Sequence, residues 1–289
     1  MQKRLDDRTA HAYLELIGVD ARPGEVDAAT LVALQRAHLA AVPYENIDIV
    51  RGSPPGIEPT ATVPRILGGR GGYCFHLNGG FSALLEWLEV DVTRHLAGVW
   101  GQSAETPPGP SGNHLGLTVR LDDGGRWLVD VGLGDGPPEP MPLEHGIHWQ
   151  ESYRFELAAS PLAPGGWRLH HDPEGWWHLV DISNERAATA DFSEIHVKLS
   201  TSPESGFVKV AVVMRRPEGA RLEALRGCVF TEREGADVRR RDVDTADDWW
   251  ETVIDGFGLD YRGLTGSERD ALWTKVRSTH EAWVDAGRP

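Results

Sequence analysis

Cysteine is scarce in this chain: Cys74 and Cys228 are the only two among 289 residues. Two thiols in a chain of that size build no disulfide framework, and a reducing cytosol would keep both free. Long apolar runs are missing too. No eighteen consecutive apolar residues occur, which excludes a membrane-spanning helix. Residues Met1–Arg22 carry no apolar segment behind a basic head, so they do not read as a secretory signal. A cytoplasmic protein is expected. Basic charge is short as well, with 29 Lys plus Arg against 44 Asp plus Glu, a formal charge of -15. Such a surface repels phosphate backbones, so neither nucleic acid nor membrane is expected as a partner. Zinc-type spacings, Cys-x-x-Cys or His-x-x-x-His, are absent, and no metal site is expected.

What is present begins as helix. Asp6, Asp7 and Thr9 can cap a helix carrying Ala12, Tyr13, Leu16 and Ile17, which Gly18 ends. Asp27 precedes a second amphipathic run with Leu31, Leu34 and Leu39. Pro54-Pro55-Gly56 marks a turn, Val63–Leu67 a short helix stopped by Gly68-Gly69, and a third long helix starts near Cys74. After Glu89 the period changes to short β-rich stretches: Leu96–Val99, Leu115–Val119, Trp127–Val131, Tyr153–Leu157, Trp167–His170 and Trp176–Val180. The spacing predicts a sandwich or barrel. Asp122–Gly125 reads as a hairpin turn, and the Pro- and Gly-rich loop 102–112 lies just upstream of His114. Val208–Met214 and Cys228–Glu232 read as strands, Asp247–Phe257 and Ser267–Ala286 as helices, the last with Leu272, Val276 and Trp283 on one side. Helices, then strands, then a mixed end give an α+β protein.

The two cysteines sit in different surroundings. Cys228 lies in an apolar run, Gly227-Cys228-Val229-Phe230, and reads as a small buried hydrophobe. Cys74 follows Gly68-Gly69-Arg70-Gly71-Gly72-Tyr73 and falls at a predicted helix start. There the free N–H groups and the positive end of the dipole favour a thiolate, the nucleophilic form. A cysteine nucleophile needs an imidazole as proton partner and a third group to orient it. Asn113-His114 opens the strand Leu115–Val119, and Asp130 is the single acid in the apolar run Trp127–Val131. A carboxylate so placed must be paired. Pairing around the Asp122–Gly125 turn brings Asp130 next to His114 without any long-range assumption. The remaining features read less sharply. Trp176-Trp177 and Trp249-Trp250 either fill cores or line an aromatic pocket. Arg215-Arg216 and Arg239-Arg240-Arg241 are solvated strand ends, or spots that neutralise an anionic cofactor. His170-His171 reads as an exposed turn.

Taken together, Arg70-Gly71-Gly72-Tyr73-Cys74-Phe75 with Asn78 resembles the nucleophile motif of the arylamine N-acetyltransferase family. Pro43-Tyr44-Glu45-Asn46-Ile47-Asp48 is similar to its Pro-Phe-Glu-Asn-Leu-Asp block, and Val129-Asp130-Val131-Gly132-Leu133-Gly134 to its Val-Asp-Val-Gly-Phe-Gly segment. Asn113-His114 matches the family histidine, and Ser200-Thr201-Ser202-Pro203 with Ser205 and Phe207 resembles the block opening the third domain. The likeness runs in order from about Tyr13 to about Asp260. It implies a helical bundle (1–90) carrying the nucleophile, a β-barrel (91–199) carrying His and Asp, and an α/β lid (200–289), around a cysteine triad like that of papain and transglutaminase folds. It also implies ping-pong acetyl transfer from acetyl-coenzyme A, a co-substrate and not a permanent cofactor, to an arylamine or hydrazine nitrogen. Cys74, His114 and Asp130 would be catalytic. Tyr73, Phe75, Gly132, Leu133 and Gly134 would contact substrate or coenzyme, and Arg70 with Glu45 would hold the loop before the nucleophile.

Three departures from the family pattern stand out. Asp135 puts a negative charge where coenzyme phosphates are expected, His76 and Leu77 replace a Glu-Gln pair, and Leu133 replaces an aromatic. Altered acceptor or donor preference is the expected consequence. Other functions remain open on sequence. An amide synthase closing a macrolactam from a polyketide on an acyl carrier protein would use the same triad, as would a thiol protease or transglutaminase. A binding module with Cys74 and His114 as zinc ligands is the non-enzymatic alternative.

Overall fold

The computed structural model describes residues 4–101, 105–217 and 220–287; residues 102–104 of the expected Pro- and Gly-rich loop lie outside them. The chain starts with α1 (Asp7–Ile17), where Asp6 accepts the Thr9 N–H at 2.8 Å and Gly18 at φ 72° ends the helix. Its buried row is Ala10, Tyr13, Leu14 and Ile17. Leu16, expected on that row, is 40% exposed, because residues three and four apart share a helix face and Leu16 falls beside the line through Tyr13 and Ile17. Asp27 caps α2 (Ala28–Ala41) in the same manner as Asp6, and Leu31 and Leu34 are buried. The short β1 (Tyr44–Glu45) and α3 (Ile47–Val50) lead to α4 (Pro59–Leu67), and then to α5 (Cys74–Trp87).

Helix α5 is buried on every side from Cys74 to Leu85. Gly80 allows this: a methyl group there would already touch Ile66 of α4 at 3.3 Å. A helix enclosed all round is rigid, and it fixes its own first turn.

Against α5 packs an antiparallel sheet. Its strands are β2 (Asp91–Gly101), β3 (His114–Arg120), β4 (Arg126–Val129), β5 (Met141–Pro142), β6 (Gly146–Gln150), β7 (Tyr153–Ala159), β8 (Trp167–His170) and β9 (Trp177–Ile182), in the order β5-β4-β3-β2-β9-β8-β7-β6. The edge strands β5 and β6 are joined by residues 143–145 alone, so the sheet is nearly closed into a barrel. Tyr153, Phe155, Trp167 and Trp177 fill it. The β3–β4 turn forms where expected: Gly124 takes φ 85° and Asp123 Oδ1 accepts the Gly125 N–H at 2.8 Å.

Beyond a 3-10 turn come α6 (Ser193–Thr201) and α7 (Gly206–Lys209), then β10 (Val212–Arg215), β11 (Arg221–Arg226), β12 (Val229–Glu234) and β13 (Asp237–Asp242). The expected strand from Val208 is a helical turn at its start. Ser205 Oγ caps it by accepting the Phe207 N–H, and Asn46 Nδ2 donates to Phe207 O and Val210 O. Strand β1, early in sequence, completes this second sheet by pairing with β10, Tyr44 opposite Met214. On its outer side α8 (Ala246–Glu251), a π-helical turn (Thr252–Gly256) and α9 (Gly266–Asp285) surround Trp249, Trp250 and Cys228. Leu272 and Val276 of α9 are buried, whereas Trp283, expected beside them, is 36% exposed. Among the described residues, no helix is long and apolar enough to cross a membrane.

Candidate active site

Cys74 is the first residue of α5 and is 3% exposed. The amides of Cys74 and Phe75 are by position among the first helical N–H groups, which find no acceptor inside the helix. One turn on, Asn78 sews the helix to the barrel. Its Nδ2 donates to Leu115 O at 2.7 Å and to Asp130 Oδ1 at 3.0 Å, and its Oδ1 accepts the Val131 N–H at 2.8 Å.

His114 opens β3, and the hairpin register, Leu117 opposite Val129, carries Asp130 back beside it. His114 Nε2 lies 2.6 Å from Asp130 Oδ2. Both are buried, at 2% and 6% exposure. The other Asp130 oxygen also accepts the Gly132 N–H at 2.8 Å, and the Asp130 N–H donates to Gln35 Oε1 at 3.2 Å. With Nε2 committed to Asp130, the second imidazole nitrogen is left for Cys74. Burial alone would pull the His114 pKa down; the Asp130 carboxylate and a hydrogen bond with Cys74 outweigh it and push it up to about 10. Asn113 fixes the approach: its side chain exchanges two hydrogen bonds with the Val99 backbone, and its carbonyl lies 3.8 Å from Cys74 Sγ.

Gly132 lies against Cys74, since a methyl group there would come within 2.7 Å of its Cα. Gly134 takes φ 69°, with Met214 and Tyr44 packed on it, and Leu133 is buried. Tyr73 and Phe75, expected to contact substrate, turn their side chains into the core at 0% and 1% exposure. Tyr73 OH bonds His196 Nδ1 at 2.6 Å, and Phe75 packs on Phe192.

The loop support differs from the expected pair. Glu45 binds Arg65 at 2.6 Å, and Arg70 binds Asp48 at 2.7 Å with its guanidinium over the Tyr261 ring. Arg65 links the two, reaching Asp48 at 2.5 Å and donating from Nε to Gly71 O at 3.1 Å. Asp135 is no open negative charge either. It is 1% exposed and faces Arg216 at 3.1 Å, His171 at 3.3 Å and Arg233 at 3.6 Å. Burial would raise its pKa, and those partners hold it below the usual carboxylate range. Hence Arg216 is no solvated strand end, and His171 no exposed turn residue. Arg215 is committed too, to Glu223 at 2.9 Å.

These features agree with what the whole chain resembles. The N-acetyltransferase family profile matches residues 27–264. The chain belongs to the arylamine N-acetyltransferase family. It is 30% identical over 275 residues to an arylamine N-acetyltransferase of Mycolicibacterium smegmatis, covering 92% of this chain and 98% of that one. A solved structure of the Mycobacterium marinum arylamine N-acetyltransferase in complex with CoA shares the fold, with a TM-score of 0.83 at 24% identity over 93% of this chain and 99% of that one. Proansamycin X synthase of Amycolatopsis mediterranei is 38% identical over 151 residues, half of this chain and 56% of its own length. As an arylamine N-acetyltransferase the protein is an acyltransferase. Sequence reasoning left out Gln35 and Arg65, and noted Asp48, Asn78 and Asn113 only as parts of motifs. Asn78 carried a usable signal, since it stands one helical turn from Cys74. Arg65 and Gln35 carried none.

Proposed function

We propose that the protein moves an acetyl group from acetyl-coenzyme A to the nitrogen of an arylamine or hydrazine, by a ping-pong route through an acetyl-Cys74 intermediate. The observation that carries this reading is the buried His114–Asp130 contact of 2.6 Å beside a cysteine at a helix start. The Cys74 proton passes to His114, and the sulfur attacks the thioester carbonyl. The carbon–sulfur bond to coenzyme A breaks, and the leaving thiolate takes the proton from the imidazolium. In the second half the amine nitrogen attacks acetyl-Cys74, gives its proton to His114, and Cys74 leaves as thiolate. Asp130 holds the imidazole tautomer and favours its charged form. Gly132, Leu133 and Gly134 border the sulfur and receive the donor, while Tyr73 and Phe75 hold the wall behind it. Segments 1–90, 91–199 and 200–289 supply the nucleophile, the proton relay and the cover respectively. The cytoplasm, where thiols stay reduced, suits this chemistry.

Initial rates with acetyl-coenzyme A and 5-aminosalicylate varied together test the route. Parallel double-reciprocal lines are expected, and intersecting lines would remove the two-step scheme. The likeness to proansamycin X synthase supports a second reading, amide formation from a carrier-bound polyketide thioester through the same cysteine. Slow loss of acetyl-coenzyme A to water, with no acetylated amine, would favour it.

A further inference from the structure

Tyr44 stands where the resembled family motif carries phenylalanine, so its hydroxyl is a group of this chain's own. Strand β1 places it. Residue 44 forms a parallel bridge with Gly72, two residues before the nucleophile, and the Glu45 N–H donates to Gly72 O at 2.9 Å. On its other side the ring packs against the segment that follows Asp130: a methyl group on Gly134 would meet Tyr44 Cγ at 3.6 Å. Tyr44 is thereby wedged between the two pieces of chain that bracket Cys74, the loop before it and the glycines after Asp130. It is half-buried, and its hydroxyl has no hydrogen-bond partner among the described residues. Burial and the neighbouring Cys74 charge push its pKa well above the ordinary phenol value, with Arg226 opposing, so the hydroxyl keeps its proton throughout the working range and is a donor.

We propose that the Tyr44 hydroxyl is a further catalytic residue, donating a hydrogen bond to the acyl oxygen when Cys74 attacks the thioester. The proposal rests on Cys74 as the nucleophile. As the sulfur–carbon bond forms, the carbonyl π pair moves onto oxygen, and the first-turn amides of α5 meet that charge from one side and Tyr44 from the other. When the bond to the leaving thiolate breaks, the pair returns. Tyr44 keeps its proton at every stage, so no extra proton or electron is required. Fixed donors aimed at a developing oxyanion are among the largest single contributions to acyl transfer.

Tyr44→Phe tests this with the hydroxyl alone removed. Two rates at Cys74 are followed by intact mass: acetylation by acetyl-coenzyme A, and alkylation by iodoacetamide, which displaces iodide at a saturated carbon and builds no oxyanion. Expected for Tyr44→Phe is a fall in acetylation of roughly 10²-fold, with alkylation unchanged. Equal acetylation of wild type and variant would overturn the proposal while leaving the acetyl-cysteine reading standing. A parallel fall in both rates would also overturn it, since Tyr44 would then act on the thiolate or the loop. Alkylation of wild-type Cys74 without any acetylation would remove the acetyl-cysteine reading and the role of Tyr44 with it.

Discussion

Asn78 places its Nδ2 3.0 Å from Asp130 Oδ1, so the helix that starts at Cys74 also grips the acid that bonds His114. Asn78→Ala removes that grip and leaves the Leu115 carbonyl and the Val131 N–H buried without partners. The expected cost is about 2–4 kcal/mol in urea unfolding, with kcat/KM down roughly 10²-fold through a displaced Asp130. An unchanged kcat/KM in a folded variant would show that Asp130 needs no such anchor.

Asp130→Asn keeps the shape of the acid and removes its charge. Loss of roughly 10³–10⁴-fold in kcat is expected, as for other triads whose orienting acid is neutralised. Acetylation of the variant at close to the wild-type rate would mean that the 2.6 Å contact is structural only.

His114, pushed up to about 10 by Asp130 and Cys74 against the pull of burial, sets a pH dependence. An unfolded histidine titrates near about 6.5. The folded value is the higher one, so its contribution to stability is complete below about pH 6.5 and drains away as pH rises towards about 10. Urea midpoints across this span should fall in wild type more steeply than in His114→Gln. Identical slopes would contradict the shift.

Asp135 holds Arg216, Arg233 and His171 in the interior between the two sheets. Asp135→Asn leaves Arg216 without its carboxylate, while Arg233 keeps Asp172 at 3.1 Å, and should cost about 3–5 kcal/mol near neutrality. Its pKa is depressed, so the stabilisation is present above the ordinary carboxylate range and is lost as pH falls below it. The gap between variant and wild type should therefore narrow in acid, and a constant gap would be evidence against a charge effect.

Arg65 bridges Glu45, Asp48 and the Gly71 carbonyl with one planar fork. Lysine cannot reproduce three such directions. Arg65→Lys should lower the melting temperature and speed proteolysis between residues 68 and 73, the loop that delivers Cys74. Unaltered cleavage would assign the hold on that loop to Arg70 instead.

What the sequence made legible followed from local rules. Asp6, Asp27 and the Asp122–Gly125 turn act over a few residues, and the turn alone was enough to bring His114 to Asp130. Cys74 at a helix start was readable from the glycines before it and the apolar run after it. The misreadings share a cause, which is contact between distant pieces of chain. Arg216, His171 and Asp135 look solvated one by one, and only the packing of β10 and the β8–β9 turn on the segment after Asp130 makes them a buried cluster. Glu45 and Arg70 are close in order and purpose, but Arg65 and Asp48 stand between them. Val208 has strand propensity, and Asn46, far upstream, bends the chain there into a turn.

The most direct measurement is the intact mass of the protein mixed with acetyl-coenzyme A in the absence of any amine, wild type beside Cys74→Ala. One added acetyl group on wild type, none on the variant, and its release when 5-aminosalicylate is added are the predicted results. An acetyl group found equally on both proteins, or on neither, would contradict the account.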